Sequence, residues 1–404
     1  MPTQIPQAEQ LALVRIKPDL IEEDFKLIQS TNISSQMLHL LHLQLRGVWI
    51  DNSPNQRCDE TNPVFGEIHL CFSNSSLNGI DAVPRKIPIL PKEQSPYTLK
   101  NGRLYWKDEM IFDQGFVREI KLSERKLPRY LKGYSFPFIG TDNPFYELRI
   151  NPKNTGKCPG RCLFCHRGSS HRFKPKHLPN ILAPVSLVEA IVEQHGQHIL
   201  NEVSHISVIT ELFGNEDSFL SYIEELRDVL INYGCRQETS FRTCSQDVRS
   251  KDGLKRLKSI IGPDRYSFTL EIFSQRERIM GKYKGIDLGI VEEVLKSAKE
   301  VGFREIKLNY VAGIDSIKSF QDGVSRLSKS EVFDTIGLSI FTAFSLDQLD
   351  IRHPDSWQLS YYIRILEIIN AAGIDIYEPT CFEMGFPVQY FEADLPWMKT
   401  KRSR

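Results

Sequence analysis

The chain has 404 residues, with 51 Lys plus Arg against 51 Asp plus Glu, 41% hydrophobic residues and eight cysteines. That length gives room for about two or three domains, and the charge balance excludes the global positive field that recruits nucleic acid or an anionic membrane. No apolar run approaches the roughly 18 residues of a membrane span.

Residues 1–20 are polar and broken by Pro2, Pro6 and Pro18, unlike a signal or transit peptide, so a soluble, cytoplasmic protein is expected. Up to about residue 142 the pattern is irregular. A leucine-rich helix is predicted over Ser35–Arg46, stopping near Gly47, and strand-like runs follow at 66–72 and 115–122. Between these runs lie a proline-spaced stretch, 84–96, and the turn signal Asn101-Gly102. Residues 1–142 therefore read as an N-terminal α+β domain of unknown role.

From Phe145 the texture turns regular. A strand at 146–150 leads into a cysteine-rich loop, and a helix follows from Ser186, where Ser186 and Glu189 form a capping box. Strands are then predicted at 203–210, 240–243, 266–273, 306–311 and 335–341. Helices alternate with them at 218–233, 253–261, Leu288–Val301 and up to about Leu327, and a last helix spans 357–372. Six strand–helix repeats argue for an α/β domain with a parallel sheet and outer helices. Count and order alone do not separate an open sheet from a partial barrel.

The loop after the first of these strands contains Cys158-Pro-Gly-Arg-Cys162-Leu-Phe164-Cys165, three cysteines spaced C-x3-C-x2-C with no fourth nearby. Four thiolates normally hold a [4Fe-4S] cube, so three leave one iron open to an exchangeable ligand. The competing reading is a zinc site completed by His166 or His171.

The run Cys158, Cys162, Phe164, Cys165 resembles the cluster signature of the radical S-adenosylmethionine (radical SAM) superfamily, C-x3-C-x-aromatic-C. The resemblance implies a partial (β/α)6 TIM-like barrel over 143–345, with 346–404 as a C-terminal helix and extension. It also implies one [4Fe-4S] cluster, SAM as cosubstrate, and flavodoxin or ferredoxin as reductant. Phe164 is then expected near the adenine. Gly214, Asn215 and Glu216 stand where the family has Gly-Gly-Glu to hold the SAM amino group, with Asn215 replacing a glycine. Glu271 and Ser274 are further candidate SAM contacts, Arg278 is the cation chosen for the SAM carboxylate with Lys282 beside it, and Asn309, Val311 and Gly313 occupy the next strand end.

Apart from the resemblance, Glu271 and Asn309 are polar groups inside predicted buried strands, where each demands a partner. Cys244 ends the third strand; the resemblance makes it a candidate hydrogen-atom donor, as some radical epimerases require, and a buried structural cysteine is the other reading. The basic stretch 167–177 is either a solvated loop or a docking site for an anionic group or an acidic reductase. The implied function is reductive cleavage of SAM to a 5′-deoxyadenosyl radical that modifies a ribosomal peptide or a small metabolite. The alternatives are a non-catalytic iron–sulfur or zinc protein and, among enzymes, a radical methylase.

Overall fold

The computed structural model describes residues 22–24, 26–27, 35–46, 48–50, 67–72, 85–88, 95–101, 103–112, 117–119, 133–136, 146–152, 158–165, 181–341, 348, 350–377 and 400–401. The basic stretch 167–177, His166 and His171 lie outside the described residues, as do Cys58 and Cys381. The chain divides into two compact units. One comprises residues 122–310 and 322–337; the other comprises 1–121, 311–321 and 338–404.

The second of these contains helix α1 (Ser35–Arg46), which begins and ends where the leucine pattern places it. After it come strands β1 (Trp49–Ile50), β2 (Glu67–Phe72), β3 (Arg85–Pro88), β4 (Tyr97–Lys100), β5 (Arg103–Trp106), β6 (Glu109–Phe112) and β7 (Val117–Glu119). They form two small sheets, ordered β1-β4-β5-β6 and β3-β2-β7. The β4–β5 hairpin turns at Asn101, whose φ of 51° is the left-handed conformation that the Asn-Gly signal specifies.

The other unit carries the alternating elements. Its strands are β8 (Tyr134–Ser135), β9 (Glu147–Ile150), β10 (His205–Ile209), β11 (Ser240–Cys244), β12 (Arg265–Glu271), β13 (Glu305–Ala312) and β14 (Thr335–Ile340), the last residues of β13 and β14 being counted with the unit of residues 1–121. Neighbours in sequence are neighbours in the sheet, and from β9 to β13 every pairing is parallel, as βαβ units require. Strand β8 runs antiparallel against β9. The helices are α2 (Pro184–His195), α3 (Ile199–Glu202), α4 (Glu216–Asn232), α5 (Lys251–Ile261), α6 (Arg276–Lys284), α7 (Leu288–Val301) and α8 (Ile317–Lys329).

Helix α2 starts two residues before the predicted capping box. Pro184 occupies its first turn, where a missing N–H costs nothing and a fixed φ favours the helix, and no side chain caps it. The region after β14 continues with a short 3-10 turn (Pro354–Trp357), α9 (Leu359–Ala371), β15 (Asp375–Tyr377) and β16 (Thr400–Lys401).

Parallel strands covered on both faces read as continuous apolar runs. These do not. Register sets Ser207 opposite Arg149 and Arg242, Cys244 opposite Ser267, and Ser267 opposite Lys307, so these residues share one face of the sheet. Leu148, Ile150, Ile206, Val208, Phe241, Phe268 and Leu308 alternate with them and are buried on the other face. Helices α2, α4 and α7 turn buried residues such as Leu187, Ile223, Leu226 and Leu295 inward, each buried side chain contributing about 1.5–3 kcal/mol. One face of the sheet thus holds the core, and the opposite face is polar.

Candidate functional site

The cysteine loop leaves β9 and is folded by its own backbone. Arg161 N–H donates to Cys158 O at 3.4 Å and Cys165 N–H to Cys162 O at 3.0 Å. These two tight turns bring Cys158, Cys162 and Cys165 round to one side, and all three are free thiols. A Cβ on Gly160 would lie 3.4 Å from Cys158 Sγ and 3.5 Å from Cys162 Sγ, so both sulfurs stand within van der Waals reach of one point in the loop.

Burial is the main force on Cys162 and pushes its thiol up to about 12, with Lys284 opposing the rise and Glu271, Cys165 and Cys158 adding to it. A cube puts each thiolate on its own iron, whereas one zinc ion draws its ligands to a single centre. Three free thiols on one tightly turned loop fit the cysteine ligand set of an iron–sulfur centre.

Helix α6 closes on this loop. Leu163 N–H donates to Ile279 O at 2.8 Å. Gly281 breaks the helix with φ 72°, and a Cβ there would sit 2.7 Å from Gly160 O, so both the conformation and the close approach require glycine. The kink turns Lys284 back toward the cysteines: its Cδ is 3.4 Å from where a Gly160 Cβ would be, and its ammonium stands 6.0 Å over the Phe164 ring.

The ammonium pairs with Glu271 Oε1 at 2.7 Å, both side chains being largely buried. Burial works against the lysine's charge, but Glu271 and then Cys162 hold its pKa above the ordinary value. Glu271 itself is an L-residue with φ 68°, spanned by a hydrogen bond from Ile272 N–H to Leu270 O at 2.9 Å. Such three-residue turns are strained, and the register between β12 and β13 shifts at the same point. The strand end is bent where it presents its carboxylate.

A second polar hub joins three strand ends. Asp247 accepts from Phe213 N–H at 2.9 Å, Gly214 N–H at 3.0 Å, Ser245 Oγ at 2.9 Å and Tyr283 Oη at 2.9 Å. Burial, then Asp247, raises the Tyr283 phenol. Arg249 reaches Tyr283 O at 2.6 Å and lies 4.8 Å over its ring. The loops after β10 and β11 are thereby locked to α6, the helix that carries Lys284.

The predicted residues fall into distinct places. Gly214, with φ 78°, abuts Pro159 of the cysteine loop. Asn215 caps α4, accepting from Ser218 N–H at 2.9 Å. Glu216 accepts from Arg249 N–H at 2.6 Å, Ser250 N–H at 2.9 Å and the Ser250 hydroxyl, and so anchors the start of α5. Asn309 Nδ2 donates to Cys244 Sγ at 3.7 Å, which joins two candidates 65 residues apart. Ser274 stands in the turn between β12 and α6, whereas Arg278 and Lys282 are exposed.

Val311 and Gly313 belong to the other unit. There Gly313 N–H donates to Tyr361 Oη at 3.2 Å, and a Cβ would meet Phe341 and Tyr362. Lys284, Asp247, Tyr283 and Arg249 were not anticipated. The signal for Lys284 was the buried Glu271, whose demand for a cation was answered 13 residues downstream.

Residues 154–327 match the radical SAM superfamily model. Among solved structures the chain is similar to the FeFe-hydrogenase maturase HydG from Carboxydothermus hydrogenoformans at 15% identity, covering 63% of this chain and 57% of that one with a TM-score of 0.43. It is also similar to coproporphyrinogen III oxidase (HemN) from Escherichia coli, at 15% identity over 44% and 47% with a TM-score of 0.34. A third is the radical SAM methyltransferase TsrM from Kitasatospora setae, at 12% over 56% and 42% with a TM-score of 0.31. The chain spans about half the length of these structures. No curated protein matches it. No helix among the described residues is long and apolar enough to cross a membrane.

Proposed function

We propose, from the premise that this chain belongs to the radical SAM superfamily, that it cleaves S-adenosylmethionine reductively and takes a hydrogen atom from an unactivated C–H of a ribosomal peptide or small metabolite. The family uses a [4Fe-4S] cluster with SAM, and its members are enzymes. When bound, that pair supplies the electron transfer and the 5′-deoxyadenosyl radical. The observation that carries the reading is the set of three free thiols on one tightly turned loop, with the sulfurs of Cys158 and Cys162 both against Gly160.

Each part of the chain then has a task. Cys158, Cys162 and Cys165 hold the inorganic centre, and the ring of Phe164 backs the nucleoside. Gly214, held by Asp247, offers its backbone beside the loop, while Glu271, Ser274 and Asn309 line the strand ends. Cys244, accepting from Asn309, is the candidate hydrogen-atom donor. The polar face with Arg242, Ser267 and Lys307 supports a polar substrate rather than a greasy one. A flavodoxin or ferredoxin in a reducing cytosol is the matching electron source.

Anaerobic reconstitution with iron and sulfide, followed by SAM and dithionite, tests this. The expected products are methionine and 5′-deoxyadenosine, both lost in Cys162→Ala. Zinc in place of iron, or no nucleoside product, would favour the non-catalytic metal protein. A mass gain of one methyl on substrate would identify a methylase.

A further inference from the structure

We propose that Lys284 is the electrostatic counter-charge of the three-cysteine centre, a positioning residue that makes the centre easier to reduce; this rests on the reading above. Three observations converge on it. Its Cδ lies 3.4 Å from the point where a Gly160 Cβ would be, a point that the sulfurs of Cys158 and Cys162 approach at 3.4 and 3.5 Å. Its ammonium is held in place by Glu271 at 2.7 Å and backed by the Phe164 ring at 6.0 Å. It also lies on α6, which is bonded to the loop through Leu163 and allowed close by Gly281.

The sign follows from charge alone. An electron entering a thiolate-bound centre adds negative charge, and a fixed cation in a poorly hydrated site stabilises the reduced state more than the oxidised one. Glu271 does two opposing things. It fixes the lysine, and as an anion it partly cancels it. Arg276, also on α6, does not share the role, because its guanidinium is spent on the carbonyls of Ile286, Leu270 and Ile272. Arg278 and Lys282 face solvent.

Opposite signs in two single variants test the proposal. The midpoint potential of the reconstituted protein would be followed by electron paramagnetic resonance, with iron content and the circular dichroism melt measured alongside. Lys284→Met should shift the potential to more negative values, Lys284→Arg should restore most of it, and Glu271→Gln should shift it to less negative values.

An unchanged potential in Lys284→Met at full iron content overturns the proposal. So does a shift of Glu271→Gln in the same direction as Lys284→Met, since a mere structural prop would behave that way. If Lys284→Met does not fold, Lys284→Arg and Glu271→Gln carry the decision. Absence of iron from the unmodified protein would instead overturn the functional reading itself.

Discussion

Each unit of this chain buries a cation against a carboxylate, and the two clusters are finished differently. In the unit containing residues 1–121, Asp24 Oδ2 takes both Arg46, at 3.1 Å, and His42, at 3.1 Å, while Oδ1 accepts the Leu359 N–H at 2.7 Å. The other nitrogen of His42 meets Tyr97 Oη at 3.0 Å, which also meets His39 at 3.0 Å. The charged groups answer one another and tie α1, β4 and α9 together. In the other unit the Lys284–Glu271 pair is set on a kinked helix and a strained strand end, with its cation toward three thiols. A network confined to its own groups fixes a core, even with Arg46 Nη1 left without a partner; an ion pair set beside free thiols prepares a site.

The largest effect that would sharpen this contrast is Cys162→Ala. It should abolish iron uptake and SAM cleavage and leave the melting curve near that of the unmodified apo-protein. Asp24→Ala should do the reverse. It strands Arg46 and His42 without their carboxylate at a cost of about 3–5 kcal/mol, while the fraction that stays folded keeps its iron content. A denaturant titration beside an iron assay separates the two outcomes.

Acid should loosen both units through buried histidines, His39 and His42 in one and His205 in the other. Burial, then His42, lowers His39 to about 4; burial, then Arg242, lowers His205 to about 4. Both stay neutral in the folded chain, and the unfolded chain binds the extra protons. Stability is therefore full above about pH 6.5 and is lost as pH falls toward 4, by up to about 3 kcal/mol per histidine. Melts of His39→Asn and His205→Asn should each flatten part of that slope. A slope unchanged in either variant would remove that histidine from the explanation.

A smaller effect is expected from Gly281→Ala. Its positive φ and the close approach to Gly160 O would cost about 1–3 kcal/mol locally, and iron content should fall more than the melting temperature. Equal falls in both would make Gly281 a general packing residue.

Much of the fold was legible because strand and helix periods rarely conflict in this region. Helix Leu288–Val301 and helix Ser35–Arg46 match their patterns end to end. The cysteine loop stands out in the sequence because its three thiols lie within eight residues of one another. Helix α6 was not, since its charged face reads as solvated, and only the kink at Gly281 reveals that Lys284 turns inward. Asp247 gathers donors 33 to 36 residues away, a convergence that no window along the chain displays. Glu216 resembled a ligand-holding acid but anchors α5, because a carboxylate at one helix start can reach the bare amides of the next.

The most direct test of the three-thiol centre is metal and product analysis of the anaerobically reconstituted protein given SAM and dithionite. About four irons and four sulfides per chain, with 5′-deoxyadenosine formed, is the predicted result. One zinc per chain without iron or sulfide, and intact SAM, would contradict it.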